Sequence, residues 1–188
     1  MRALILLLFC CVLALSGLGC GGSVAWKATS SQKPLISVNG YCIELPDHWM
    51  IYDKEMTVLT RHGATMDMVQ IKKVRLGSPL PYTTLVLDSL QETFELAEVV
   101  LNNLRAAPGI YDLTLEEESP AEVDDNEGFL VRFSYALESG MIRKCFLYGF
   151  TNDKWYYEIG YYALAEHYFE ESIDEYLSVV KSFKILKP

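Results

Sequence analysis

From residue 35 onward, apolar and polar positions follow two different rhythms. Ile36, Val38, Tyr41, Ile43 and Leu45 mark an extended segment that Pro46-Asp47 ends. Residues 49–52 and 56–60 read as short extended pieces, and 66–76, rich in Val and Ile, as a longer strand. Pro79 and Pro81 mark a loop. Leu87, Leu90, Phe94, Ala97, Leu101 and Leu104 then recur at steps of three and four, which predicts an amphipathic helix over about 84–105, closed by Pro108-Gly109. Leu96, Val99 and Val100 widen its apolar stripe beyond a coiled-coil seam, so this helix should face a core.

The period then shortens to two. Residues 128–137, 141–150 and 155–162 are strand-like runs, separated by Glu138-Ser139-Gly140 and Thr151-Asn152-Asp153-Lys154. Phe129, Val131, Phe133, Tyr135 and Leu137 alternate along the first. Ile142, Phe146, Tyr148 and Phe150 share a face of the second, with Lys144 as the exception, and Trp155, Tyr157, Ile159 and Tyr161 continue it in the third. Short connections predict an antiparallel meander, with a further strand over about 110–118 beside it. A last helix is expected over about 166–181, with Phe169, Ile173, Tyr176, Leu177 and Val180 as its buried stripe, followed by an extended 182–185. The fold class is therefore α+β, an antiparallel β-sheet with helices packed on it. Tyr156 and Tyr162 fall on the second face of the meander. They are core if helices cover both faces, and a binding surface otherwise.

The N-terminus has a different character. Arg2 precedes an apolar run over 3–15, and small residues follow, with a cysteine directly after Gly19. Charged, apolar, small is the order of a secretory signal peptide. The cysteine at the cut resembles the lipobox of bacterial lipoproteins, although Leu18 and Gly17 stand where that pattern has a small residue and a leucine. The resemblance makes Cys20 the lipid attachment site, a palmitate-type acyl anchor on the first mature residue. A membrane-spanning helix needs about 20 apolar residues, more than this run supplies. Residues 1–19 are thus read as signal peptide, 20–34 as a lipidated tether poor in large apolar residues, and 35–188 as a single globular domain. The tether points to the cell envelope, facing the periplasm. Gly21 stands where an aspartate would signal inner-membrane retention in enteric-type sorting, which favours the outer membrane.

Charge narrows the partners. The chain carries a net charge of −9, which argues against nucleic acid, whose phosphates need Lys and Arg. It also argues against a basic lipid-binding patch, so Cys20 is the expected membrane link. Of five cysteines, Cys10 and Cys11 lie in the signal peptide, leaving Cys42 and Cys145 in a compartment that permits disulfides. A bridge needs Cα atoms within about 7 Å, and the sequence does not say whether they are that close. Two buried thiols is the simpler expectation.

Three segments resemble the PsbP-like superfamily, which includes bacterial DcrB-type lipoproteins. Tyr41-Cys42-Ile43-Glu44-Leu45-Pro46-Asp47-His48-Trp49 is similar to its opening strand and Pro-x-x-Trp turn. Tyr156-Tyr157-Glu158-Ile159-Gly160-Tyr161-Tyr162-Ala163 is similar to its last long strand. Tyr168-Phe169, followed by Val179-Val180-Lys181-Ser182-Phe183, is similar to its C-terminal helix and closing Ser-Phe. The resemblance implies an α/β/α sandwich and a role in binding or stabilising other proteins. It implies no shared catalysis, and it carries no active-site residue into this chain.

Tests for chemistry come back empty. Residues 17–22 match G-x-G-x-x-G, but at a cleavage site with no strand before them. Residues 30–33 and 178–181 match S-x-x-K without the accompanying motifs of penicillin-binding proteins. His48, His62 and His167 are scattered, and nothing selects one as a general base. His62 with Met66 and Met68 offers copper-type ligands, against the simpler reading of a turn histidine beside core methionines. Glu116, Glu117, Glu118, Glu122, Asp124, Asp125 and Glu127 crowd one stretch without EF-hand spacing, and read as a charged hairpin protecting a sheet edge or as a docking surface for a basic partner. No catalytic, cofactor-binding or metal-binding residue is assigned. The expectation is a non-enzymatic envelope lipoprotein whose globular domain binds or stabilises another envelope protein. The alternative is a small-ligand or lipid-binding module that uses the space between helix and aromatic sheet.

Overall fold

In the computed structural model, which describes residues 27–28, 35–37, 39–51 and 57–187, the chain begins with the short strands β1 (Lys27–Ala28), β2 (Leu35–Ile36), β3 (Tyr41–Ile43), β4 (Met50–Ile51) and β5 (Val58–Thr60). It continues with β6 (Asp67–Arg75), α1 (Thr93–Arg105), β7 (Tyr111–Val123), β8 (Asn126–Ala136), β9 (Ile142–Asn152), β10 (Trp155–Leu164), α2 (Tyr168–Ser182) and β11 (Lys184–Ile185). The expected signal peptide, Cys20, most of the tether, Val38, Tyr52 and Met56 lie outside the described residues.

Eight strands form an antiparallel sheet in the order β1-β4-β5-β6-β10-β9-β8-β7. A second sheet of order β11-β3-β2 ties the C-terminus to the opening strand. α1 covers one face of the large sheet and α2 the other, giving the expected α/β/α sandwich. Because β10 is central and covered on both sides, residues 156–163 are all buried. Among the described residues no helix is long and apolar enough to cross a membrane.

Two cores follow from the pleat. Under α2, rings dominate: Phe169 stacks on Phe146 at 5.8 Å and on Tyr161 at 5.5 Å, while Tyr41 stacks on Phe183 at 5.1 Å. Under α1, Phe129, Val131 and Phe133 of β8 meet Leu96, Val100 and Leu101. Tyr156 and Tyr162 belong to this second core, at 1% and 4% exposure, so they are not a surface. Cys42 and Cys145 are free thiols: Cys145, buried on β9, belongs to the α1 core, while half-buried Cys42 lies on β3, whose Tyr41 and Ile43 pack in the α2 core.

The helix expected over 84–105 starts only at Thr93. Residues 84–92 form a loop, because short polar side chains capture its backbone: Thr83 Oγ1 accepts from Leu85 N–H, and Asp88 Oδ1 from Leu90 N–H. Glu95 Oε2 then caps the Glu92 N–H at 3.0 Å. Leu87 still reaches the core from this loop, but Leu90 is 89% exposed. The expected strand over 110–118 runs on to Val123, so Glu122 joins Glu116, Glu117 and Glu118 on an exposed edge strand. Two register shifts and Pro120 also interrupt this edge, and such features discourage pairing with another chain. The β7–β8 turn places Asp124 and Asp125 at φ 50° and 60°, the pair of left-handed residues that a type I′ hairpin requires.

Candidate functional site

The centre of β10 holds a charge that the apolar pattern conceals. Alternation turns Tyr156, Glu158, Gly160 and Tyr162 toward α1. Glu158 is 4% exposed, and a buried carboxylate needs partners. Register supplies one, because Lys72 on β6 lies directly opposite, with Nζ 2.7 Å from Oε1. The hydroxyls of Tyr156 and Tyr162 donate to the same carboxylate at 3.4 and 3.5 Å. Glycines make room for these rings: a Cβ on Gly149 would stand 2.6 Å from the Tyr156 oxygen, and one on Gly160 2.6 Å from the Tyr162 ring. Burial, reinforced by the Glu158 charge, pushes both phenols well above their ordinary range, so they remain donors.

Above this pair lies a cavity of about 220 Å³. Its floor is Lys72, Tyr156 and Glu158, one wall is Val100, Asn103 and Leu104 of α1, and its roof is Leu80, Pro81 and Tyr82. Asn103 Oδ1 accepts the Tyr82 N–H at 2.9 Å, pinning roof to wall. The roof belongs to the same loop that replaces the first turns of the expected helix.

A second polar cluster joins α2 to the turn after β5. Asp67 is fully buried and accepts from Thr60 Oγ1 at 2.8 Å and from the backbone N–H groups of Arg61 and His62 at 3.1 and 2.9 Å. His62 Nδ1 lies 2.8 Å from the other carboxylate oxygen, to which Ser172 also donates at 3.5 Å. Glu171 stands 3.5 Å from His62 Nε2, 3.0 Å from His167 Nε2 and 3.5 Å from Arg61. Glu175 bridges Arg61 at 3.2 Å and Trp49 Nε1 at 2.7 Å. So two of the three scattered histidines meet through Glu171. His48 stays apart in a turn, at φ 69°.

This cluster is a lock between elements. An acyl-transfer triad needs its hydroxyl on the imidazole nitrogen remote from the carboxylate. Here Ser172 shares Asp67 with His62, and the remote nitrogen faces Glu171. Met68 packs in the α1 core, across the sheet from Asp67 and Ser172, so the copper-type set does not assemble. Among the described residues no three His, Cys, Asp or Glu side chains converge as a metal would need. Burial pushes the Cys145 thiol well up, which disfavours its thiolate. Ser178 of the S-x-x-K match donates to the Glu175 carbonyl. Asp124 of the acidic stretch holds the C-terminal strand, accepting from Ile185 N–H at 2.7 Å and pairing with Lys184 at 2.8 Å.

The sequence reading passed over Glu158 and Asp67. Glu158 left a signal, since a charged residue inside an otherwise apolar strand run is almost never buried without a partner, whereas Asp67 opens a strand of mixed pattern that also carries Lys72, Lys73 and Arg75.

No protein-family profile matches the sequence, and no curated protein matches it. Solved structures do. CyanoP, the cyanobacterial PsbP of Synechocystis sp. PCC 6803, superposes with a TM-score of 0.56 at 13% identity, covering 89% of this chain and 98% of its own. LpqN, involved in cell envelope biogenesis of Mycobacterium tuberculosis, gives 0.54 at 10% identity, covering 82% and 90%. The Saccharomyces cerevisiae Ran-binding protein Mog1p gives 0.50 at 8%, covering 85% and 97%. At these identities the likeness is one of architecture, and the fold of this chain is that of the PsbP-like proteins.

Proposed function

We propose that this chain is a non-enzymatic envelope lipoprotein, anchored through lipid on Cys20 and facing the periplasm, whose domain binds or stabilises another envelope protein. The observation that carries the reading is an exposed apolar pair. Leu90, 89% exposed, and Phe94, 60% exposed, stand four residues apart on the loop and first turn of α1. Isolated exposed side chains are ordinary, but here Tyr82, Leu85 and Val86 of the same loop are exposed as well. Exposed carboxylates surround them: Asp88, Glu92, Glu95 and Glu98 locally, with Asp125 and Glu127 across a shallow groove. Apolar anchors within a charged rim are the usual anatomy of a binding surface. The matching partner has a basic rim around an apolar pocket. Neighbours of the same fold make this economical, since one is described as Ran-binding and another as acting in cell envelope biogenesis.

The test is a photoreactive residue at position 90 or 94 in the native envelope, with positions 141 and 177, also exposed, as controls. One envelope protein should crosslink at 90 and 94 and not at the controls. Once purified, it should bind the Leu90→Ser/Phe94→Ser variant at least tenfold more weakly. Equal capture at all four positions counts against this surface. A second reading, a small-ligand module in the periplasm, is favoured by the cavity over Lys72 and Glu158.

A further inference from the structure

The cavity's chemistry selects its ligand. Resting on the second of the two readings, we propose that it binds a small monocarboxylate, with the carboxylate on Lys72 and an apolar body between α1 and the Leu80–Pro81 roof. Lys72 and Glu158 are not equivalent toward this space. Glu158 has a side-chain exposure of 6% and its oxygens take three donors, from Lys72, Tyr156 and Tyr162. Its negative charge is therefore consumed within the sheet face. Lys72 is 36% exposed, and an ammonium carries three N–H donors, one of which goes to Glu158. The remaining donors are what the cavity meets. Asn103 adds to them: its carbonyl oxygen is taken by Tyr82 N–H, which leaves its amide N–H groups at the wall. Donors thus outnumber free acceptors, which calls for an anion or a strong acceptor and disfavours an amine.

Gln70 also lines the space and brings amide donors as well as one carbonyl acceptor, so donors remain in excess. Beside Tyr82, the rest of the lining is apolar: Val74, Leu80, Pro81, Val100 and Leu104. A volume of about 220 Å³ compares with the roughly 150 Å³ apolar cavity that holds benzene. One ring or a short alkyl chain with its carboxylate fits, and a two-chain lipid does not. A purely structural role for the ion pair does not explain the space above it. Buried pairs are often replaceable by packed apolar residues without loss, and such packing would also close the cavity.

The experiment uses the full-length protein in lipid nanodiscs, with empty nanodiscs as the blank, followed by methyl NMR. Sodium benzoate, sodium hexanoate, 1-hexanol and hexylamine are the probes. Benzoate and hexanoate should saturably shift the methyl signals of Leu80, Val100 and Leu104, with hexanol and hexylamine at least tenfold weaker. Leu80→Trp, which fills the cavity and leaves the ion pair intact, should abolish the shifts. Lys72→Met should weaken the carboxylates at least tenfold and leave hexanol unchanged. Should Lys72→Met fail to fold, the double variant Lys72→Met/Glu158→Leu carries the same test without an orphaned charge. Hexanol or hexylamine binding as well as hexanoate overturns the carboxylate assignment and leaves a small-ligand module standing. Absence of saturable shifts with all four probes, or shifts that survive Leu80→Trp, overturns both.

Discussion

Glu158 and Lys72 face each other across the β10–β6 pairing with their charges 2.7 Å apart, yet one side chain is 6% exposed and the other 36%. The buried member depends on the partner more than the partner depends on it. Lys72→Met should therefore destabilise the protein by about 2 kcal/mol, below the 3–5 kcal/mol typical of a fully buried pair because Lys72 is partly hydrated. Lys72→Met/Glu158→Leu should recover to within about 1 kcal/mol of the parent. Urea denaturation of the three proteins measures this. A double variant less stable than Lys72→Met would mean that the carboxylate has a structural role beyond the pair.

Helix α1 begins at Thr93, so Leu87 and Leu90, which periodicity places on one stripe, both lie in the loop before it, one buried and the other exposed. Leu90→Ser should leave stability within about 0.5 kcal/mol of the parent, since the side chain is 89% exposed. Leu87→Ala should cost about 2–5 kcal/mol, because Leu87 is fully buried. Similar losses from both substitutions, by the same denaturation assay, would restore the longer helix.

The histidines have structural roles of unequal weight. His62→Gln should cost about 1 kcal/mol by losing the 2.8 Å contact between Nδ1 and Asp67, while His48→Gln should cost little. If the protein is no enzyme, the triple variant His48→Gln/His62→Gln/His167→Gln should keep its envelope function once shown to fold. A folded, correctly localised triple variant that behaves like a deletion strain contradicts the non-enzymatic proposal.

Alkaline pH tests the tyrosine packing. Burial raises the phenols of Tyr156, Tyr162 and Tyr176 well above the usual 10.0, and raises Tyr161 as well. The unfolded chain releases these protons near pH 10 while the folded chain retains them. Above that pH the folded state binds more protons, so stability falls as pH rises. Melting temperature should be level near pH 8–9 and drop beyond about 10. Tyrosinate absorbance should appear together with unfolding for these residues. A melting temperature independent of pH up to 11 contradicts the buried assignment.

Lipid attachment is tested apart from the fold. Radiolabelled palmitate should enter the wild-type protein and not Cys20→Ala. Equal labelling of the two ends the lipoprotein proposal.

Sequence and tertiary structure settled different things about this protein. Strand and helix identity follow from periodicities of two and about 3.6, which need only neighbours along the chain, so the meander and α2 were legible within a few residues. The extent of α1 was not, because Leu87 and Leu90 satisfy helical spacing as well as a loop does. Thr83 and Asp88 decide between the two by binding backbone N–H groups. Tyr156 and Tyr162 could be assigned to one face of the strand from the sequence, while their burial awaited the helix that covers that face. The ion pair at the candidate site lay beyond reach for a similar reason. Lys72 and Glu158 stand 86 residues apart, and only the register of β6 on β10 makes them opposites. A shift of one residue would have turned Lys72 to the other face and set Ile71 or Lys73 opposite Glu158 in its place.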